Sequence, residues 1–331
     1  MDNLLNKEDK ILIAGANGLA GNAILISLKK SGYGNPKNGG VIFTPRRQEL
    51  NYLNAKDVDY WIKKNKPNVV IVAAGKVGGI HANMTSPSEF LLENLKIELN
   101  LIETSWKYGV RRLLFLGSSC IYPKDSACPI TEELLMEGKL EPTNEFYALA
   151  KIAGIKLCES LRKQYKFDAI TLMPTNLYGP CDNYNDKSSH VMAALIKRFI
   201  QAKESNEKEV ICWGTGAPKR EFLHSSDLGD ACVFALENWG LNKKNAPKDK
   251  NGNLLNMLNV GTGKEISIKE LSEKIAEITN FQGKITWDNS KPDGVFRKVL
   301  DVSKFKSLGW EPKIELDKGL QTVIEEYRRG L

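Results

Sequence analysis

The chain has 331 residues, 42% hydrophobic and 26% charged, an ordinary globular composition that can bury a full core as one large or two modest domains. Its 47 Lys+Arg against 40 Asp+Glu give a net charge of +7, which favours an anionic partner; the basic pairs Arg46-Arg47 and Arg111-Arg112 are scattered, so a phosphorylated small molecule fits better than nucleic acid. No apolar run reaches the roughly 18–20 residues of a membrane span, and MDNLLNKEDK lacks the basic-then-apolar pattern of a secretion signal, so no membrane partner and a cytoplasmic location are expected.

The first half alternates apolar runs with helical patterns. Lys10–Ala14 reads as a strand, Gly21–Lys30 as a helix and Gly40–Thr44 as a second strand. Asp57–Lys64 is a short helix, Asn68–Ala74 a strand rich in Val and Ile, and Glu89–Tyr108 a helix. Arg112–Gly117 is a strand, Asn144–Tyr165 a long helix and Ala169–Met173 a strand. This rhythm predicts a doubly wound parallel sheet of α/β class, with near-continuous apolar strands buried on both faces. After Pro174 the pattern changes: Gly179–Ser189 is polar and turn-rich, His190–Glu204 helical, Glu209–Trp213 a strand and Asp227–Asn238 helical. Asn242–Asn253 reads as a surface loop, Ile266–Thr279 as a capped helix and Gly283–Asp288 as a strand. The expected division is a nucleotide-binding domain over 1–176 plus about 214–240, and a smaller C-terminal α/β lobe over about 177–213 and 241–331.

The six cysteines, at 120, 128, 158, 181, 212 and 232, form no CxxC pair, so neither a metal site nor a disulfide framework is expected, and reduced thiols in a cytoplasm suit them. The first strand runs into Gly15-Ala16-Asn17-Gly18-Leu19-Ala20-Gly21, a G-x-x-G-x-x-G pattern opening a helix. In that context glycine lets the backbone approach a diphosphate, and the helix N-terminus supplies amide donors. The second strand ends in Phe43-Thr44-Pro45-Arg46-Arg47, with no acid to hold a ribose 2′-hydroxyl but two guanidiniums suited to a 2′-phosphate, which points to NADP rather than NAD. Tyr147 and Lys151 form Y-x-x-x-K on one helical face, where the ammonium is expected to lower the phenol pKa. They follow a strand ending in Gly117-Ser118-Ser119-Cys120, whose Ser118 hydroxyl can bond a substrate carbonyl.

Fingerprint, serine and Tyr/Lys stand in the order seen in the extended short-chain dehydrogenase/reductases, a Rossmann-type superfamily that the chain resembles over most of its length. Lys76–Ile80, Leu116–Pro123, Glu141–Asn144, Met173–Pro180, Arg220–His224 and Lys291–Gly294 are more specifically similar to the GDP-L-fucose synthase family. The resemblance implies conversion of GDP-4-keto-6-deoxy-D-mannose to GDP-L-fucose with NADPH, by epimerisation at C3 and C5 and reduction at C4. It implies Cys120 as the base and His190 as the acid of epimerisation, with Ser118, Tyr147 and Lys151 completing the catalytic set. For the cofactor it implies Gly15, Asn17, Gly18, Leu19, Ala20, Gly21, Arg46, Arg47, Ala73, Ala74, Leu116, Gly117, Tyr147, Lys151, Pro174, Thr175, Asn176, Leu177 and His190. For the guanosine diphosphate it points to Arg198, Trp213, Arg220 and Asp293, and relatives on this scaffold pair as homodimers through the two long helices. One departure stands out: bacterial members commonly carry Arg before the central glycine, where this chain has Asn17, leaving Arg46 or Arg47 to supply that cation. The competing expectation, a sugar-nucleotide 4,6-dehydratase or epimerase, is weakened because a dehydratase typically needs a carboxylate near Cys120 and Ser118-Ser119-Cys120 offers none.

Overall fold

A computed structural model describes residues 4–240, 246–291 and 293–330. The elements run β1 Lys10–Ala14, α1 Leu19–Lys30, β2 Val41–Phe43, α2 Ala55–Asn65, β3 Val69–Val72, α3 Ile80–Thr85, α4 Pro87–Lys107, β4 Arg112–Leu116, α5 Glu145–Tyr165, β5 Ala169–Pro174 and β6 Asn176–Tyr178. They continue α6 Val191–Glu204, β7 Glu209–Trp213, β8 Lys219–His224, α7 Ser225–Asn238, β9 Met257–Val260, β10 Glu265–Ser267, α8 Ile268–Thr279, β11 Lys284–Asp288, β12 Arg297–Lys298, α9 Ser303–Ser307 and α10 Leu316–Arg328. The main sheet has the order β2-β1-β3-β4-β5-β9 and every pairing in it is parallel. The expected doubly wound fold is therefore present.

Strand alternation explains the two layers of core. Leu12, Val70, Leu113 and Phe115 face α2, α4 and α5, while Ile11, Ile13, Ile71, Leu114 and Leu116 face α1 and α7. The inner strands β3, β4 and β5 and the strand β9 are buried on both faces, which requires their apolar runs, while the edge strand β2 is half-buried. A third core joins α6, α8 and α10 to β7 and β8 through residues such as Phe199, Phe222, Ile275 and Leu320. Around it, β8 pairs with β6, β10 and β12, and β7 pairs with β11.

The topology crosses the division expected from sequence. β9, from the stretch placed in the C-terminal lobe, is the sixth strand of the main sheet, whereas β8, placed with the nucleotide domain, belongs to the small sheet. Part of the loop expected over 242–253, residues 242–245, lies outside the described residues; Lys248 and Leu254 bridge across the remainder. Among the described residues no helix is long and apolar enough to cross a membrane.

Arg112, in the basic pair noted in the sequence, is not a surface charge. It is fully buried, pairs with Asp168 and donates to the carbonyls of Ala235 at 3.2 Å and Trp239 at 2.6 Å. It thus closes the C-terminus of α7, where a cation is favourable. Arg112→Ala should destabilise the protein by about 3 kcal/mol, the lower end for a broken buried pair because Asp168 reaches solvent. Urea denaturation measures this, and an unchanged midpoint would contradict it.

Candidate active site

The carboxyl ends of β1, β3, β4 and β5 form one rim, and it carries six of the residues expected to hold a cofactor: Gly15, Ala73, Ala74, Leu116, Gly117 and Pro174. Strand order reverses between β1 and β3, the place where open α/β sheets bind nucleotides. Gly15 has φ +91, and a Cβ on it would lie 2.7 Å from the Ala74 backbone, so only glycine lets these two strand ends close. Gly18 caps α1, whose first turn carries no acid, and Asn17 and Gly18 are exposed. Leu19 and Ala20 are half-buried and Gly21 is buried in that turn. Arg46 and Arg47, past the end of β2, are both exposed.

β4 delivers Ser118 and Cys120 into a tight turn in which Ser118 Oγ accepts from the Cys120 amide at 3.2 Å. α5 brings Tyr147 alongside, its ring edge-on to Phe90 at 6.3 Å. Lys151 is buried, donates to the Leu116 carbonyl at 3.1 Å and pairs with Glu98 on α4 at 3.1 Å. Its ammonium lies 6.0 Å from the centre of the Tyr147 ring. This corrects one expectation. Burial pushes the Tyr147 phenol up, the charges of Cys120 and Glu98 add to that, and the Ser118 hydroxyl opposes only weakly. The Lys151 ammonium, engaged by Glu98 and a carbonyl, does not offset that rise.

Lys298, which the sequence reading did not single out, donates to Cys120 Sγ at 3.4 Å. β12 pairs in parallel with β8, setting Lys298 opposite Arg220. Two hydrogen bonds latch the following segment to the chain beyond Cys120: Ile130 N to Val299 O at 2.8 Å and Asp301 N to Ile130 O at 2.8 Å. Burial raises the Cys120 thiol, but the Lys298 ammonium, the Ser118 hydroxyl and the Arg220 guanidinium together outweigh it and leave it below the ordinary thiol value. His190 is the N-cap residue of α6 and is exposed, yet the protein packed around it and the Lys298 charge both hold its pKa below that of a free imidazole. Lys298 thus acts on both Cys120 and His190. No local signal marks it, since it stands 178 residues from Cys120 beside another cation and reads as surface charge.

The residues expected to bind nucleotide stand on α6, β7, β8 and the segment between β11 and β12. Arg220 is half-buried on β8. Trp213, at the end of β7, is 56% exposed with Lys291 Nζ 5.5 Å from its ring, and Arg198 on α6 donates to the Ile211 carbonyl at 2.6 Å. Asp293 accepts from Thr215 N at 2.7 Å and Thr215 Oγ1 at 2.8 Å, so it already braces the turn after β7. Thr175 and Asn176 turn their side chains to the Glu221 carbonyl at 3.2 and 2.8 Å, and Leu177 is half-buried in β6. A separate cavity of about 620 Å³, lined by Phe222, Trp310 and Leu316, shares none of these residues; its charged groups already pair as Lys264–Glu315, Lys274–Asp317 and Lys306–Glu311.

Comparison with known proteins accords with this site. The model of the NAD dependent epimerase/dehydratase family matches residues 11–261. The chain is 48% identical to the probable GDP-L-fucose synthase 1 of Oryza sativa subsp. japonica, covering 98% of this chain and 93% of that one. It is 42% identical to the GDP-L-fucose synthase of Escherichia coli (strain K12), covering 97% of each. The structure of a GDP-mannoheptose C4 reductase from Campylobacter jejuni with NADP bound superposes with a TM-score of 0.84 at 36% identity, covering 98% of this chain and 99% of that one.

Proposed function

The chain belongs to the NAD dependent epimerase/dehydratase family and, within it, to the GDP-L-fucose synthases, and on that footing we propose that it converts GDP-4-keto-6-deoxy-D-mannose to GDP-L-fucose with NADPH. The observation that carries the reading is the Lys298 ammonium 3.4 Å from the Cys120 sulfur, beside Ser118 and Tyr147. A thiolate held by a cation is a base, and the C4 ketone makes the protons on C3 and C5 acidic enough for it. As Cys120 removes a proton, the electron pair spreads onto the ketone oxygen, where the Ser118 and Tyr147 hydroxyls donate hydrogen bonds. His190 returns a proton to the opposite face, and contact with solvent resets both groups for the second carbon. Tyr147 then gives its proton to the C4 oxygen. The turn Ser118-Ser119-Cys120 itself carries no carboxylate that could serve a dehydratase.

The residues present fit NADP: the Gly15 cradle would take the diphosphate, exposed Arg46 and Arg47 the 2′-phosphate in place of the cation missing at Asn17, and Lys151 the ribose beside Tyr147. When bound, NADPH supplies the hydride for C4. Arg198, Trp213, Arg220 and Asp293 would hold the guanosine diphosphate. We assign the cofactor to the main six-stranded sheet and the sugar nucleotide to the smaller sheets built around β7 and β8. A homodimer through α4 and α5 is supported by their exposed apolar side chains Leu92, Leu99, Phe146 and Leu149. A reducing compartment such as the cytoplasm suits a base that must remain a free thiol.

The test is incubation with GDP-4-keto-6-deoxy-D-mannose in deuterated water, with NADPH or NADH, following absorbance loss and product NMR. GDP-L-fucose labelled at C3 and C5, formed faster with NADPH, is expected. A reduced product unlabelled at both carbons would mean reduction without epimerisation, and, in a parallel incubation with GDP-mannose, release of water would mean a dehydratase.

A further inference from the structure

Glu98 is the carboxylate paired with the catalytic Lys151, and the proposed mechanism gives it no step. It sits on the inner face of α4, 1% exposed, and its only partner is the Lys151 ammonium at 3.1 Å; no other donor reaches either oxygen. A bare buried carboxylate is costly, so the site holds it for the sake of that pair. α5 makes room for it: Gly154 lies one turn beyond Lys151, and a Cβ there would stand 2.7 Å from Glu98 Oε2. Glycine in a helix interior costs about 1 kcal/mol against alanine, and only the neighbouring carboxylate and the Phe115 ring, also 2.7 Å away, explain it. One turn earlier on α4, Asn94 binds both the amide and the carbonyl of Lys76, so the same face fixes the loop after β3.

We propose that Glu98 is a positioning residue for the reductive step: it locks the Lys151 ammonium at the Tyr147 end of the cofactor site, and its charge offsets that of Lys151 so that Tyr147 keeps its proton until the C4 oxygen needs it. This rests on the reductase reading. An uncompensated Lys151 would draw the phenol toward ionisation, which suits oxidation of an alcohol; a compensated one leaves an acid, which suits reduction of a ketone. The charged and titratable groups facing this pair and the phenol are Cys120 from the turn after β4, Glu98 from α4, and Lys151 and Cys158 from α5. Lys76, nearby, is occupied by Glu89 and by Glu93 at 2.9 Å.

The test compares Glu98→Gln, Lys151→Met and the double variant. Glu98→Gln keeps the shape and removes the charge. Expected are a loss of about tenfold or more in the rate of reduction, a weaker NADPH Kd measured by fluorescence without substrate, and a basic limb of the reduction profile moved to lower pH. In the Lys151→Met background, Glu98→Gln should cost nothing further in NADPH affinity or Tm, because it acts through the lysine. Additive losses in the double variant, or an unmoved basic limb in a folded Glu98→Gln protein, would overturn the proposal. Should the parent enzyme fail to reduce the proposed ketone, the functional reading falls, while the NADPH and Tm arms still decide whether Glu98 positions Lys151.

Discussion

Cys120→Ser should lose solvent deuterium uptake at C3 and C5 by roughly 10²–10⁴-fold, the usual worth of a positioned general base. The serine hydroxyl fills nearly the same space, so the turn that Ser118 Oγ closes at 3.2 Å survives. What disappears is the anion, since no contact available from Lys298 ionises an alcohol near neutral pH. NADPH affinity should hold, because the Gly15 loop and Arg46–Arg47 are separate from this sulfur. The pH profile offers an independent check through Lys298→Met. Epimerisation needs Cys120 ionised, which is favoured above its pKa, and His190 protonated, which is favoured below its own. The Lys298 charge lowers both values. Removing it should therefore shift the whole exchange profile to higher pH as well as reduce it. Exchange at the parent rate in Cys120→Ser would remove the thiol from the mechanism.

For Tyr147→Phe the expected result is the reverse split. NADPH consumption should fall by roughly 10²–10⁴-fold, while exchange at C3 and C5 falls much less, because Ser118 still donates to the ketone oxygen. The ring and its edge-on contact with Phe90 remain, so the loss cannot be blamed on packing. Burial holds this phenol in its acid form, so any limb Tyr147 contributes to the reduction profile should lie on its basic side. Stopped-flow absorbance and NMR exchange on one preparation measure both halves. Equal losses in the two halves would mean that Tyr147 only shapes the pocket.

The main sheet was legible because its strands are apolar on both faces and its helices carry long stripes: Lys10–Ala14 matches the expected bounds, Arg112–Leu116 and Ala169–Pro174 differ from them by one residue, and α4 and α5 by one or two. β8 and β9 were not. Lys219–His224 contains Glu221, a fully buried acid whose carboxylate accepts from the amides of Thr262, Gly263 and Leu300. Met257–Val260 contains Asn259, equally buried, which binds Tyr122, Glu132, Ile130 and Asp301. Polar residues satisfied by partners tens of residues away break the local pattern that marks a strand. Past Asp288 the sequence reading took no element, although Leu320, Val323 and Ile324 of α10 carry helical spacing. In the site, Ser118, Cys120, Tyr147 and Lys151 were legible from motifs, whereas Lys298 and Glu98 become visible only when distant segments meet.

The side chains of Thr175 and Asn176 splice the large sheet to the small one: Thr175 also bonds Val260 O at 3.0 Å through its amide, and both residues share the Glu221 carbonyl. The chain passes between the sheets again on its way to β9 and to β10. Beads on a string can be exchanged, melted or evolved one at a time; a polypeptide stitched to and fro cannot. Calorimetry should accordingly record a single endotherm, and grafting a foreign sugar lobe onto this framework would have to replace scattered loops rather than one contiguous cassette.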